Sequence, residues 1–238
     1  MKPAFKAIAF DLDGTLYPNY RLNFKLIPFF LKNWRFLLAF GKTRGILHKR
    51  YQVQSAESAA VSQMVPGTFY NEQAVLMSKF YNAEPGLIKN KIETLIYRGW
   101  EPHFKKIKLY PHVPETLRAF RSAGLKLALL SDFPPEKKLE NLDLGDLWDA
   151  VLCSERIGRL KPDTLPFVET ARALELTPKK ILYVGNSFAY DIQGAKKAGM
   201  AAALISRSQN PSFGNFKYFP DFVFFDYRNL YNFVINYY

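Results

Sequence analysis

Residues 6–15 read KAIAFDLDGT, an apolar run that ends on Asp11-Leu12-Asp13 and turns at Gly14. A run of four to six apolar residues closed by a turn signal fits a strand buried on both faces. The same pattern returns five times. LKLALL follows a helix-like PETLRAFRSAG and ends at Ser131. DAVLC covers 149–153, ILYV covers 181–184 and ends at Gly185, and residues 202–205 and 222–225 complete the set. Helical patterns lie between them. Phe167, Ala171 and Leu174 recur at helical spacing, and residues 192–198 precede Gly199, a C-cap residue by type. Such alternation predicts an α/β fold, a doubly wound parallel sheet with helices on both faces.

Residues 18–110 lack this alternation. Apolar positions recur there at three and four, as in Leu26, Phe29 and Phe30, or Leu87, Ile88, Ile92 and Leu95. The prediction is a core domain of residues 1–17 and 111–238, with an α-helical domain of residues 18–110 inserted after the first strand. The aromatic C-terminus places Leu230, Phe233, Val234 and Tyr237 on one face of a packed last helix.

The chain has 238 residues, 48% hydrophobic and 23% charged, the composition of a folded globular protein. Its single cysteine, Cys153, excludes an internal disulfide and a cysteine zinc cluster, and reads as core. A reducing, cytoplasmic setting is expected. Residues 1–14 have no long apolar core, so no signal peptide is expected. Residues 24–40 are the most lipid-like stretch. They contain Lys25, Lys32, Arg35 and Pro28, so no transmembrane segment is expected. The net charge is +12, and residues 20–110 hold 15 Lys/Arg against five Asp/Glu. Such a block attracts an anionic small molecule, a nucleic acid or an acidic membrane surface.

Four segments carry chemistry, and three of them follow a buried run, where ligands of doubly wound sheets bind. In Asp11-Leu12-Asp13-Gly14-Thr15, one carboxylate can attack an electrophile and a second can move protons. Both suit a hard cation such as Mg2+. The competing reading is a turn whose aspartates cap backbone amides. Ser131-Asp132 offers a hydroxyl and backbone amides to a phosphate oxygen. Lys161 stands before Pro162; alone it reads equally as a surface charge. Asn186 and Asp191, in GNSFAYD (185–191), supply oxygens at the sheet edge.

In type, order and spacing these four segments resemble the haloacid dehalogenase superfamily, in its phosphatase branch, across residues 5–17 and 111–226. The resemblance implies the Rossmann-like core of that superfamily with a helical cap. It implies a double displacement on a phosphate monoester, a small phosphorylated metabolite. Asp11 would attack phosphorus and form an aspartyl-phosphate. Asp13 would protonate the leaving oxygen and then deprotonate water. Ser131, Asp132 and Lys161 would bind the phosphoryl group, and Lys161 would also neutralise the nucleophile. Mg2+ would rest on Asp11, the Asp13 carbonyl, and one or both of Asn186 and Asp191. Two residues depart from the family pattern: Asn186 replaces a usual Asp, and Asp132 replaces a usual Asn. The dehalogenase members lack the second carboxylate, so Asp13 points to phosphate esters.

Gly41-Lys42-Thr43 imitates a nucleotide-binding loop, but Phe36 stands where its first glycine belongs. His48, His103 and His112 share no metal spacing and read as structural or surface residues. Two alternatives remain open. One is a phosphomutase or phosphotransferase on the same intermediate. The other is a non-enzymatic protein of this fold, binding a membrane surface or nucleic acid through its basic helices. With the two catalytic aspartates and the lysine in place, no nucleic-acid partner is expected.

Overall fold

All six apolar runs form strands of one parallel sheet. They are β1 (Ala7–Phe10), β2 (Lys126–Ser131), β3 (Ala150–Cys153), β4 (Ile181–Gly185), β5 (Ala201–Ile205) and β6 (Phe222–Phe224), in the order β3-β2-β1-β4-β5-β6. The structure is a computed structural model and describes residues 5–57, 67–105, 107–208 and 216–236. The chain runs outward from β1 to β3, then crosses back to place β4 beside β1. That reversal leaves a crevice beyond the carboxyl ends of β1 and β4.

Alternate residues of the strands face opposite helical layers, which is why the runs are apolar throughout. Ile8, Phe10, Leu129 and Val184 pack under α5 (Val113–Ser122) and α10 (Tyr227–Asn236), against Leu117, Phe120, Leu230 and Val234. Tyr237, expected on the same face of the last helix, lies outside the described residues. Ala9, Leu130, Tyr183 and Ala202 pack on the other side under α8 (Thr164–Ala173) and α9 (Gln193–Lys197), against Phe167, Ala171 and Ala195. Cys153 is buried at the end of β3. Asp163 caps α8, its carboxylate accepting from Leu165 N at 2.8 Å. Two short helices, α6 (Glu136–Asn141) and α7 (Ser154–Ile157), follow β2 and β3.

Between β1 and β2 the chain forms a helical layer. It comprises α1 (Asn19–Glu57), α2 (Thr68–Tyr81), α3 (Pro85–Ile92) and α4 (Arg98–Phe104), with a π-helical turn at Glu93–Tyr97 joining the last two. Pro28 lies inside α1 and does not end it; the bend comes at Asn33 (φ −118°, ψ 20°). Phe36, Phe40, Met77, Ile88, Ile92 and Ile96 form this layer's own core. Among the described residues, no helix is long and apolar enough to cross a membrane.

The helical layer meets the sheet layer through two kinds of contact. Leu160, from the loop before α8, packs among Leu47, Tyr51 and Phe69. The guanidinium of Arg44, on α1, pairs with the carboxylate of Glu155 on α7, and both side chains are buried. Burial pushes the Glu155 carboxyl up to about 7, against the pull of Arg44. Removing one member of a buried ion pair leaves an uncompensated charge. Arg44→Met is therefore expected to lower stability by about 3–5 kcal/mol, and by more at pH 8 than at pH 6. Glu155 ordinarily titrates near 4.5, so the folded state holds its proton longer than the unfolded chain. Its stabilising contribution falls as pH rises from 4.5 through about 7. Glu155→Gln should flatten that part of the profile, as read from urea midpoints at pH 5 and pH 8.

Candidate active site

The site grows from the ends of three adjacent strands. The register pairs Phe10 with Leu129 on one side and with Val184 on the other. Asp11 thus emerges level with Leu130 and Gly185, and Ser131 and Asn186 lie one residue further along. Asp11 N donates to the Val184 carbonyl at 2.9 Å, so the backbone leaves the sheet only after the first carboxylate is set.

Lys161 reaches into this position from the loop before α8. Its ammonium has three donors and three acceptors: Asp11 Oδ1 at 2.7 Å, Asp191 Oδ1 at 2.7 Å and the Tyr183 hydroxyl at 3.2 Å. All of these groups are buried. Desolvation works against the Lys161 charge, yet Asp11 and Asp191 hold its pKa well above the ordinary lysine value. Burial raises the Asp11 carboxyl to about 7, opposed by Lys161 and reinforced by Asp191.

The other Asp11 oxygen, Oδ2, accepts from Thr15 Oγ1 at 2.8 Å. The same hydroxyl lies 3.3 Å from Asn186 Oδ1. One oxygen of Asp11 and one of Asn186 therefore both lie against the buried Thr15 hydroxyl. Gly14 permits this arrangement: its φ is +91°, and a Cβ there would stand 2.4 Å from Asn186 Nδ2. Asp191 is placed differently. Its Oδ2 accepts from the amides of Asn186 (3.1 Å) and Ser187 (2.9 Å), while Oδ1 belongs to Lys161. It folds the loop that presents Asn186 and leaves no oxygen turned to the crevice. Gly185 makes room for it, since a Cβ there would meet the Asp191 Cβ at 2.4 Å.

Asp13 sits apart from Lys161. The Tyr17 hydroxyl donates to its Oδ1, and Lys138 Nζ, from α6, donates to its Oδ2 at 2.5 Å. Ser131 Oγ is buried and has no hydrogen-bond partner among the described residues. Asp132 turns its carboxylate toward α1, where Oδ2 lies 3.7 Å from His48 Nε2 and 3.9 Å from Arg44 Nη2. Burial opposes ionisation there, but Lys161, His48 and Arg44 together hold the Asp132 carboxyl below its ordinary range. Only its backbone is left to face an anion beside Ser131.

His48, which its sequence context marked as merely structural or surface, binds the site loops together. Its Nδ1 lies 2.6 Å from the Lys161 carbonyl, and its ring stacks on Tyr190 at 4.3 Å. Burial lowers its pKa, and the ring donates from Nδ1 to that carbonyl. Arg44, His48, Lys138 and Tyr17 carry no motif. The one sequence trace was the four-residue spacing of Arg44 and His48, which sets both on one helix face.

Above Asp13 opens a cavity of about 810 Å³ between the helical layer and the 133–138 segment. Tyr70, Tyr97, Trp100, Phe104 and Phe133 line it, and Lys138 joins it to Asp13. The cavity stops short of Asp11 and Lys161, with Phe133 and Lys138 at its boundary. Trp100 Nε1 is buried without a partner among the described residues.

Among the described residues, no three His, Cys, Asp or Glu side chains form a metal cage. The crevice offers a different donor set, one carboxylate oxygen of Asp11 and the amide oxygen of Asn186. All-oxygen sites with one or two carboxylates suit Mg2+, which keeps several waters and borrows substrate phosphate oxygens. The residues fit that ion.

Comparison with known proteins agrees with this geometry. A haloacid dehalogenase-like hydrolase family model matches residues 5–199. The chain is 28% identical to a glyceraldehyde 3-phosphate phosphatase of Methanopyrus kandleri over 212 residues, covering 86% of this chain and 85% of that one. It is 38% identical to a phosphoglycolate phosphatase of Aquifex aeolicus over 100 residues, 41% of this chain and 46% of that one. In fold it resembles the L-2-haloacid dehalogenase RSc1362 (TM-score 0.68, 20% identity, 97% and 99% covered). It also resembles a phosphatase from Thermococcus onnurineus (TM-score 0.62, 21% identity, 98% of each chain). With strand order, motif positions and the family match in agreement, this chain belongs to the haloacid dehalogenase-like hydrolases.

Proposed function

We propose that the protein is a Mg2+-dependent phosphatase that hydrolyses a phosphate monoester through an aspartyl-phosphate on Asp11. Residues 1–17 and 111–238 act as the catalytic core, and residues 18–110 as a cap over it. One observation carries this reading. Asp11 is fixed between an ammonium and a hydroxyl at the sheet's switch point, and the unpartnered Ser131 hydroxyl lies one strand away. The phosphatase relatives support the same reaction class.

Asp11 attacks phosphorus as the bond to the leaving oxygen breaks. Lys161 offsets charge on the nucleophile, and Ser131 donates to a phosphoryl oxygen. Asp13 gives its proton to the leaving oxygen, then accepts one from the water that attacks the aspartyl-phosphate. Asp11, the Asp13 carbonyl and Asn186 would hold Mg2+, which would supply positive charge against the phosphoryl oxygens. A dehalogenase has no leaving oxygen to protonate; the presence of a second carboxylate, Asp13, supports the ester reading. The leaving group extends past Lys138 into the aromatic cavity, whose lining favours an aryl or otherwise apolar alcohol portion.

Phosphate release from a panel of monoesters with Mg2+ tests this directly. Asp11→Asn should fold and release none above background. Asp13→Asn should slow turnover by about 10²–10⁴-fold, and mass spectrometry should find phosphate retained on Asp11. Wild-type-like turnover by Asp11→Asn would overturn the assignment. Asn186→Asp exchanges a dipole for a full charge beside the ion, so the half-saturating Mg2+ concentration should fall. An unchanged value would remove Asn186 from the ligand set. Trp100→Ala should raise KM for an aryl phosphate and spare KM for phosphoglycolate; equal changes would place the leaving group outside the cavity.

A further inference from the structure

We infer that α1 carries an interfacial docking face that lays the protein on an anionic phospholipid surface. Tyr20, Phe24, Ile27, Leu31, Trp34 and Leu38 are all exposed, from 45% at Tyr20 to 74% at Leu31. Their spacing alternates four and three. At about 100° per residue, Tyr20, Phe24, Ile27 and Leu31 fall within roughly 60° of arc before the bend at Asn33, and Trp34 and Leu38 follow it at the same spacing. The helix has already used its other face: Leu22, Leu26, Phe36, Phe40, Leu47 and Tyr51 are buried on the protein side. α1 is therefore apolar on two opposite faces, and only one is covered. Scattered exposed apolar residues are ordinary in a soluble protein; six at three- and four-residue spacing along one helical segment are not.

Charge selects the occupant. α1 holds eight Lys/Arg and one acid, Glu57. Lys25, Lys32, Arg35 and Lys42 are exposed along the flank of the apolar row. A second copy of this face would bring two rows of like charge together. An anionic headgroup layer neutralises the row while the acyl boundary takes the side chains, with Trp34 and Tyr20 suited to the interface by their amphipathic rings. Arg44 and His48 are buried, unlike the six residues of this face.

The test is sedimentation with vesicles of phosphatidylcholine alone and of phosphatidylcholine with phosphatidylglycerol, using the full chain at low and high salt. Binding to the anionic vesicles should exceed binding to neutral ones by on the order of tenfold and fall with salt. Trp34 emission should shift to the blue on binding, whereas the indole N–H groups of Trp100 and Trp148 are buried already. Leu31→Glu and Lys32→Glu with Arg35→Glu should each abolish binding and leave phosphate release from a soluble ester unchanged. No binding at low salt, or equal binding to both vesicle types, overturns the inference. So does a dimer seen by light scattering that Leu31→Glu dissociates, which would assign the face to a second copy. Salt-sensitive retention on nucleic acid with no vesicle binding would assign it there.

Discussion

A buried ammonium organises this molecule's chemistry. Lys161 carries a full charge where desolvation opposes it, and it stays charged because each of its three protons has an oxygen. Those oxygens come from the end of β1, from β4 and from the loop after β4. The site cannot be assembled piecemeal: losing one partner leaves a buried charge uncompensated, the costly case for an ion pair. The requirement spreads outward. Asp191 must come within reach of Lys161, which brings its carboxylate against Gly185 and excludes any side chain there. With Asp191 so employed, the loop amides of Asn186 and Ser187 become its other partners. Asn186 is turned to the crevice as a consequence of that charge balance.

The same loop ties the two layers together. Leu160 precedes Lys161 and sits among residues of α1 and α2, while the Lys161 carbonyl meets His48 of α1. Asp132 explains its own departure from the family pattern. A carboxylate facing the phosphate would repel it; this one is drawn to Arg44 and His48. Separating the layers would expose the Arg44–Glu155 pair and strip Asp132 of cations in one movement. The positioning of Asp132 and the packing of the helical layer on the sheet layer are thus one electrostatic arrangement.

How much of this was legible in the sequence follows from the range of the forces. The six strands showed because burial on both faces writes itself as a short local run, and Asp11, Ser131 and Asn186 showed because each follows such a run. Lys161, in the loop before α8, showed only through its place in the set of four segments. Arg44, His48 and Lys138 did not show. They reach the site from helices whose local pattern says only that they are helices, and their partners lie 88, 113 and 125 positions away. Asp191 was visible as an oxygen donor, but nothing local revealed that Lys161 and two amides would occupy it. Pro28 suggested a break in the 24–40 stretch; α1 bends at Asn33 instead, because packing along its length outweighs one lost backbone bond.

Residues 24–40 also show why composition alone misleads. The stretch reads as lipid-like yet studded with charge, which argues against a spanning segment and leaves its purpose open. The structure resolves that mixture into directions. Apolar residues at one set of spacings pack inward, Leu26 on the core under the sheet and Phe36 and Phe40 on the helical layer's own core, those at another stand in solvent, and exposed cations lie among them. The positive block divides in the same way. Arg44 turns inward to hold Asp132 and Glu155, whereas Lys25, Lys32, Arg35 and Lys42 face out. An inward cation is fixed by its carboxylate partners and acts on the site through geometry. An outward row keeps its field in solvent, where it acts on whatever anionic surface approaches, at a range set by the Debye length.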